Sequence, residues 1–343
     1  MKRDRIPWGF YQKCALYATI GLIGIHLFLY VGESIQRKLD PSIKFVERLF
    51  DIWRKIVAGN CYFSPVIMPK YSVRIIYTFS FMLFLGFYFA LKARKKWLTR
   101  LLSAATMLAL LTTGTRTLIL APFVGIIVCF LGSFVRNVDK RIRKQQLHNI
   151  IFLIGITVIF DFVCFDGRMG TRFKSSFQVS EEVLENGEMH EIVYDDITYT
   201  KEKEVAGTVN SNTTRILQLR DIIEKFKKRP LFGYGYGNLG VGGENELAYF
   251  DLQAPTLLIQ TGIAGVMIWF GYLFFLFGHV LIQIKRGRFK CLAFLFIIGA
   301  VSFCSLLCYV LQSMTMLMIL FCFLDYKYIV EKSKLIGEEV EYG

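Results

Sequence analysis

"CLAFLFIIGAVSFCSLLCYVLQSMTMLMILFCFL", residues 291–324, carries no charged side chain over 34 positions. A helix crosses the ~30 Å hydrocarbon core of a bilayer with about 17–25 apolar residues. This run is therefore too long for one ordinary span and just sufficient for two, as a tight hairpin turning near Gln312 and Ser313. In lipid every backbone polar group must be satisfied internally, which leaves helices and closed barrels as spanning structures. The stretch thus decides the class: a helical membrane protein.

Working outward, the same length test finds apolar runs at 14–31, 75–91, 117–135, 150–165 and 256–284. Residues 97–113 form a weaker run, interrupted near one end by Arg100. The count predicts an all-α integral membrane protein of eight spans, or seven if 291–324 crosses once. The composition agrees: 54% of the 343 residues are hydrophobic and the mean hydropathy is +0.44. Run 14–31 is longer than a signal-peptide core and no small-residue cleavage site follows it, so it reads as a span.

The net charge of +14 raises nucleic acid as a partner, but its placement excludes that class. Basic residues gather between spans: "MKRDR" at the start, "KARKKWLTR" at 92–100, "RNVDKRIRK" at 136–144 and "KRGRFK" at 285–290. Short basic loops face the cytoplasm. This puts 1–165 as spans 1–5, 166–253 as one large extracytoplasmic loop domain between spans 5 and 6, 254–329 as spans 6–8, and 330–343 as a cytoplasmic tail. Segment 32–72 then lies outside although it is basic. Apolar positions at 43, 46, 49, 50, 53, 56 and 57 predict an interfacial amphipathic helix near 42–57. Most of the eight cysteines sit in apolar runs, where they act as small hydrophobes, and no CxxC pair or zinc-spaced cluster occurs.

Within the large loop, "GEMHEIVYDDITYTKEKE" predicts a short hairpin or irregular arm. "SNTTRILQLRDIIEKFKKRP" predicts a helix capped by Asn212 or Thr213, with Ile216, Leu219, Ile223 and Phe226 as its apolar face, ended by Pro230. It leads into "LFGYGYGNLG", residues 231–240, with four glycines in eight residues.

Three features share the external side. Arg116 ends "TGTR" at the outer turn between two spans, where an arginine needs a partner; a headgroup anchor is the simpler alternative. Arg215 and Arg220 lie on the external helix, and a guanidinium matches phosphate as a planar fork; a solvated face is the alternative. Gly233, Gly235 and Gly237, with Tyr234 and Tyr236 between them, permit an anion-binding concavity or close approach of a sugar, with the tyrosines as stacking surfaces. A plain turn would need the same glycines. Glu244, Glu246 and Asp251 follow, carboxylates able to serve as a general base toward a hydroxyl. Asp161, within span 5, is a weaker candidate.

The order of these features, "TTGTRTLILAPFVGIIV" then "R…RPLFGYGYGN…LLIQTGIAG", resembles the O-antigen ligase/polymerase family over roughly 100–285. The resemblance implies a bacterial membrane glycosyltransferase acting on lipid-linked glycans. Arg116 and Arg215 match the family arginines that engage the diphosphate; Arg220 has no equally firm counterpart and is a local inference. Ligases of the family carry a histidine ahead of the Gly-x-x-Gly, here Gly262–Gly265. The usual spacing reaches Asp251–Leu252 instead, which favours a polymerase with Asp251 as base. The family also commonly has more spans before its GTRT element, so this chain reads as a compact member or one lacking N-terminal spans.

The expected activity is metal-independent and cofactor-free, an inverting polymerisation of O-antigen, capsule or exopolysaccharide repeats. The donor would be a polyprenyl-diphosphate-linked oligosaccharide at the outer face of the cytoplasmic membrane. Membrane lipids, a flippase and a chain-length regulator are the implied partners. A ligase, a lipid-linked oligosaccharide flippase and a non-catalytic scaffold remain the alternatives; the lack of internal repeats speaks against a transporter.

Overall fold

The computed structural model describes residues 8–39, 66–67, 73–74, 82–93, 95–135, 138–165, 167–175, 201–235, 253–307, 322–324 and 326–327. Helices dominate: α1 Trp8–Leu39, α2 Phe84–Lys92, α3 Lys96–Thr112, α4 Arg116–Gly132, α5 Lys140–Phe165, α6 Arg168–Lys174, α7 Lys201–Lys228, α8 Gln253–Lys285 and α9 Leu292–Leu307. One detail departs from an all-α fold. Val66–Ile67 pairs antiparallel with Val73–Arg74, a two-residue ladder. The interfacial helix expected near 42–57, the hairpin turn at 312–313 and the tail at 330–343 lie outside the described residues.

Helix α9, from the opening stretch, is the centre of the bundle. Leu292 to Val301 are buried on every side, as a helix apolar all round must be. Its most extensive neighbour is α4, followed by α8 and α2, while α3, α5 and α1 pack outside these. Lipid tails are as apolar as leucine, so close van der Waals contact rather than water exclusion holds such helices together, and small residues permit it. A Cβ at Gly125 would meet the Phe296 ring and carbonyl at 2.6–2.8 Å, and one at Gly299 would meet Val128 at 2.9 Å. Cys129 Sγ donates to the Leu292 carbonyl at 3.0 Å across the same contact. Threonine hydroxyls inside the bundle donate back to their own helices, Thr106 to Leu102 at 2.6 Å and Thr157 to Leu153 at 2.6 Å, which leaves no orphaned donor at these sites.

Among the described residues, three helical segments are long and apolar enough to cross a membrane: Gly9–Gly32, Lys140–Phe165 and Pro255–Lys285. Helix α4 and residues 289–304 are apolar and shorter. The outer faces of α5 and α8 present large apolar side chains, Val163 at 77% exposure and Ile268 at 74%. Unbroken apolar surface of this kind is matched by lipid, not by water. The chain is a membrane protein.

Candidate functional site

The turn between α3 and α4 is built by its own threonines and glycine. The Thr113 hydroxyl donates to the Leu110 carbonyl at 2.6 Å and accepts from the Thr115 amide at 3.3 Å. Gly114 takes φ 59°, the left-handed step that ends a helix. Thr115 is the N-cap of α4 but offers it no side-chain bond. Arg116 is the first residue of that helix, at its positive end.

Its partner comes from 96 residues further along the chain. Arg116 Nη2 donates to Asn212 Oδ1 at 3.0 Å, and Asn212 Nδ2 donates to the Ser175 carbonyl at 3.2 Å. Ser175 closes α6, and α6 is itself pinned by Asp161. The Asp161 carboxylate accepts the Gly170 amide at 3.1 Å, and its carbonyl accepts the Gly167 amide at 3.0 Å. Asp161 thus holds the element that orients Asn212. Arg215 follows Asn212 by three residues, nearly one turn along α7. Its Nε is buried, with no hydrogen-bond partner among the described residues. Two guanidiniums are so brought to one end of the bundle, one bonded to the amide that stands a turn from the other. Arg220 is exposed and sits about 140° around α7 from Arg215.

Helix α7 departs from the sequence reading in four ways. It starts at Lys201, not at Asn212 or Thr213. Neither caps: Asn212 turns to Arg116, and the Thr213 hydroxyl bonds the Val209 carbonyl one turn back at 2.9 Å. The expected arm is helical from Lys201 to Glu204; its remainder lies outside the described residues. The expected apolar face is also rotated. Ile222 is buried against Ile259 and Tyr234, whereas Leu219 and Ile223 are exposed.

The glycine-rich turn is a backbone clasp. Pro230 and Leu231 carbonyls accept the Ile263 and Ala264 amides at 2.9 and 3.2 Å; Tyr234 and Gly235 amides donate to Ile259 and Gln260 carbonyls, both at 2.9 Å. Helix α8 breaks at Gly262 (φ 64°, ψ −166°), and this break frees the groups that the turn satisfies. The approach excludes any side chain. A Cβ at Gly233 would meet the Ile259 carbonyl oxygen at 2.2 Å, and one at Gly262 the Leu231 oxygen at 2.3 Å. The Gly233 amide donates to Arg229 at 3.2 Å, so the amides of 233–235 are spent inside the protein and form no anion nest. Tyr234 lies under the Arg229 guanidinium at 5.1 Å, and its hydroxyl donates to the Lys225 carbonyl at 3.3 Å. The motif locks α7 to α8.

Of the expected site residues, Arg116, Arg215 and the Gly233–Gly235 turn all attach to α7, which joins them. Tyr236, Gly237, Glu244, Glu246 and Asp251 lie outside the described residues. Asn212 was legible only as a cap, and Gly262 only as a motif glycine.

The described residues thus form a helical membrane bundle with one arginine at the start of α4 and a second on α7, one turn from the amide that binds the first. Residues 101–270 match the family model described as Wzy_C, O-Antigen ligase, and over that stretch the chain belongs to the O-antigen ligase/polymerase family, whose members act in glycan ligation and polymerisation on lipid-linked substrates. No curated protein and no solved structure matches the chain.

Proposed function

We propose that this protein polymerises lipid-linked glycan repeat units at the outer face of a bacterial cytoplasmic membrane. The observation that carries the reading is the Arg116–Asn212 bond, with the buried Nε of Arg215, which has no hydrogen-bond partner among the described residues, one turn away. A diphosphate would supply an acceptor oxygen to the Arg215 Nε, which has none among the described residues. The positive end of α4, where Arg116 stands, adds to the same field.

The donor is the growing chain on polyprenyl diphosphate. A hydroxyl of the terminal sugar on another lipid-linked unit attacks the anomeric carbon from the opposite side, with inversion. Its proton passes to the carboxylate of Asp251, two residues before α8. The bond between the anomeric carbon and the diphosphate oxygen breaks, and its electron pair leaves with the diphosphate. Charge accumulates on that leaving group, where fixed cations at Arg116 and Arg215 stabilise the transition state more than the ground state. This supplies the stabilisation that a metal would otherwise provide. Tyr236, Gly237, Glu244 and Glu246 would line the saccharide path, and Arg220 would border it.

The accompanying topology is eight spans, with the loop domain at 166–253 outside and the basic turns inside. A flippase and a chain-length regulator would act beside it. The match to a family model described as a ligase favours a second reading, transfer of the glycan to another lipid or protein acceptor. The surface glycan of a deletion strain separates the readings. Single repeats are expected from loss of a polymerase. Normal-length chains stranded on the carrier would establish a ligase instead, and repeats trapped inside would establish a flippase.

A further inference from the structure

A second cationic site lies at the far end of the same helices. Helix α3 has 17 residues, about 25 Å at 1.5 Å per residue, which separates its start at Lys96 from Arg116 by most of a bilayer's hydrocarbon thickness. There, between the first turns of α3 and α5, a cavity of about 630 Å³ is lined by Lys96, Arg100, Arg141 and Lys144. Among the described residues no acid pairs with any of the four; the ion pair seen there is Lys225–Asp221, on α7. The N-cap of α3, Lys95, provides no side-chain bond, and Lys96 and Thr99 in the first turn of that helix, its positive end, line the cavity. A separate space of about 10 Å³, room for about one water, shares Thr99, Arg100, Asn149 and Phe152 with it.

Both the sign and the shape select a ligand. Four unpaired cations ask for an anion with several acceptor oxygens, which a phosphate supplies. Immediately beside the mouth, Leu101 at 58% and Ile151 at 61% exposure give an apolar wall along which acyl chains can lie. We propose that this cavity is a binding site for the phosphate headgroup of an anionic phospholipid, in the leaflet opposite to the Arg116 junction. It anchors the starts of α3 and α5, and it is separate from the glycan-transfer reading.

The test uses full-length protein purified in detergent, with phosphatidylglycerol, phosphatidylcholine or inorganic pyrophosphate added, and bound species counted by native mass spectrometry. Wild type should retain phosphatidylglycerol in preference to phosphatidylcholine. Each cation near an anionic headgroup is worth about fivefold in affinity. Lys144→Gln, at an exposed position that leaves the fold intact, should therefore lose about fivefold, and the triple Lys96→Gln/Arg100→Gln/Lys144→Gln more than about tenfold. A control triple of equal charge change at the other basic turn, Lys285→Gln/Arg286→Gln/Lys290→Gln, should retain the lipid as wild type does. Equal retention of the two lipids, or equal loss in both triples, would overturn the site. Pyrophosphate bound at the same residues and not phosphatidylglycerol would overturn the lipid as occupant.

Discussion

At the scale of single residues the account turns on two kinds of contact, one ionic and one steric. Arg116 carries a hydrogen bond that lysine cannot reproduce in the same plane, so Arg116→Lys keeps the charge and loses the fork. Arg215→Ala removes a fixed donor from the leaving group, and polymer formation should fall about 100-fold or more at normal expression, read as glycan chain growth in membranes. Asn212→Ala leaves both arginines present and releases Arg116 from its support. A hydrogen bond to a charged group is worth about 1.5–3 kcal/mol, so the loss should be smaller, roughly tenfold. Wild-type rates in that variant would remove Asn212 from the site. The steric contrast is sharper. Gly233→Ala places a methyl at 2.2 Å from a backbone oxygen and Gly262→Ala at 2.3 Å, whereas Gly235, at φ 100°, has open space around it. Gly235→Ala should cost about 1 kcal/mol from backbone strain alone. The other two should prevent recovery of folded, monodisperse protein, and their normal folding would contradict the clasp.

At the scale of elements, the bundle is held by close helix approach. Gly125→Ala on α4 must displace Phe296, and Gly299→Ala on α9 must displace Val128. Gly155 on α5, with nothing near its missing side chain, is the control. Thermal unfolding in detergent should drop for the first two, by roughly 1–3 kcal/mol of overpacking, and stay unchanged for Gly155→Ala. This level was the most legible in sequence. The run at 97–113 became a helix at Lys96–Thr112, and the run at 117–135 one at Arg116–Gly132, because hydropathy reports directly on the solvent a helix meets. It was less informative where a helix leaves the lipid. Helix α5 begins at Lys140, ten residues before its apolar run, since a basic segment continues a helix in water without an apolar signal. Helix α7 was truncated for a related reason. Asn212 carries the marks of a cap, and only its distant partner Arg116 explains why it sits mid-helix. Backbone pairing of Gly233 with the break at Gly262 has no periodicity at all. The glycines announced a close approach but not what approaches.

At the scale of the whole molecule, the arginine junction and the basic cavity occupy opposite ends of α3, about 25 Å apart, and the proposed topology puts the membrane between them. A reporter fused after Asn186 should report an external location and one after Asn137 a cytoplasmic one, as the basic turns require. Reversal of either would place the arginines on the wrong side for a lipid-linked glycan delivered outside. The central claim is that two arginines and a carboxylate transfer glycan from a polyprenyl diphosphate. It is tested most directly with purified protein in lipid nanodiscs, supplied with lipid-linked repeat units and followed by the size of the saccharide formed. Wild type should extend the units into a ladder. Arg116→Lys should shorten it severely, and Asp251→Asn should abolish extension while the donor still binds. An undiminished ladder from Arg116→Ala and Arg215→Ala, at equal protein, would contradict the claim.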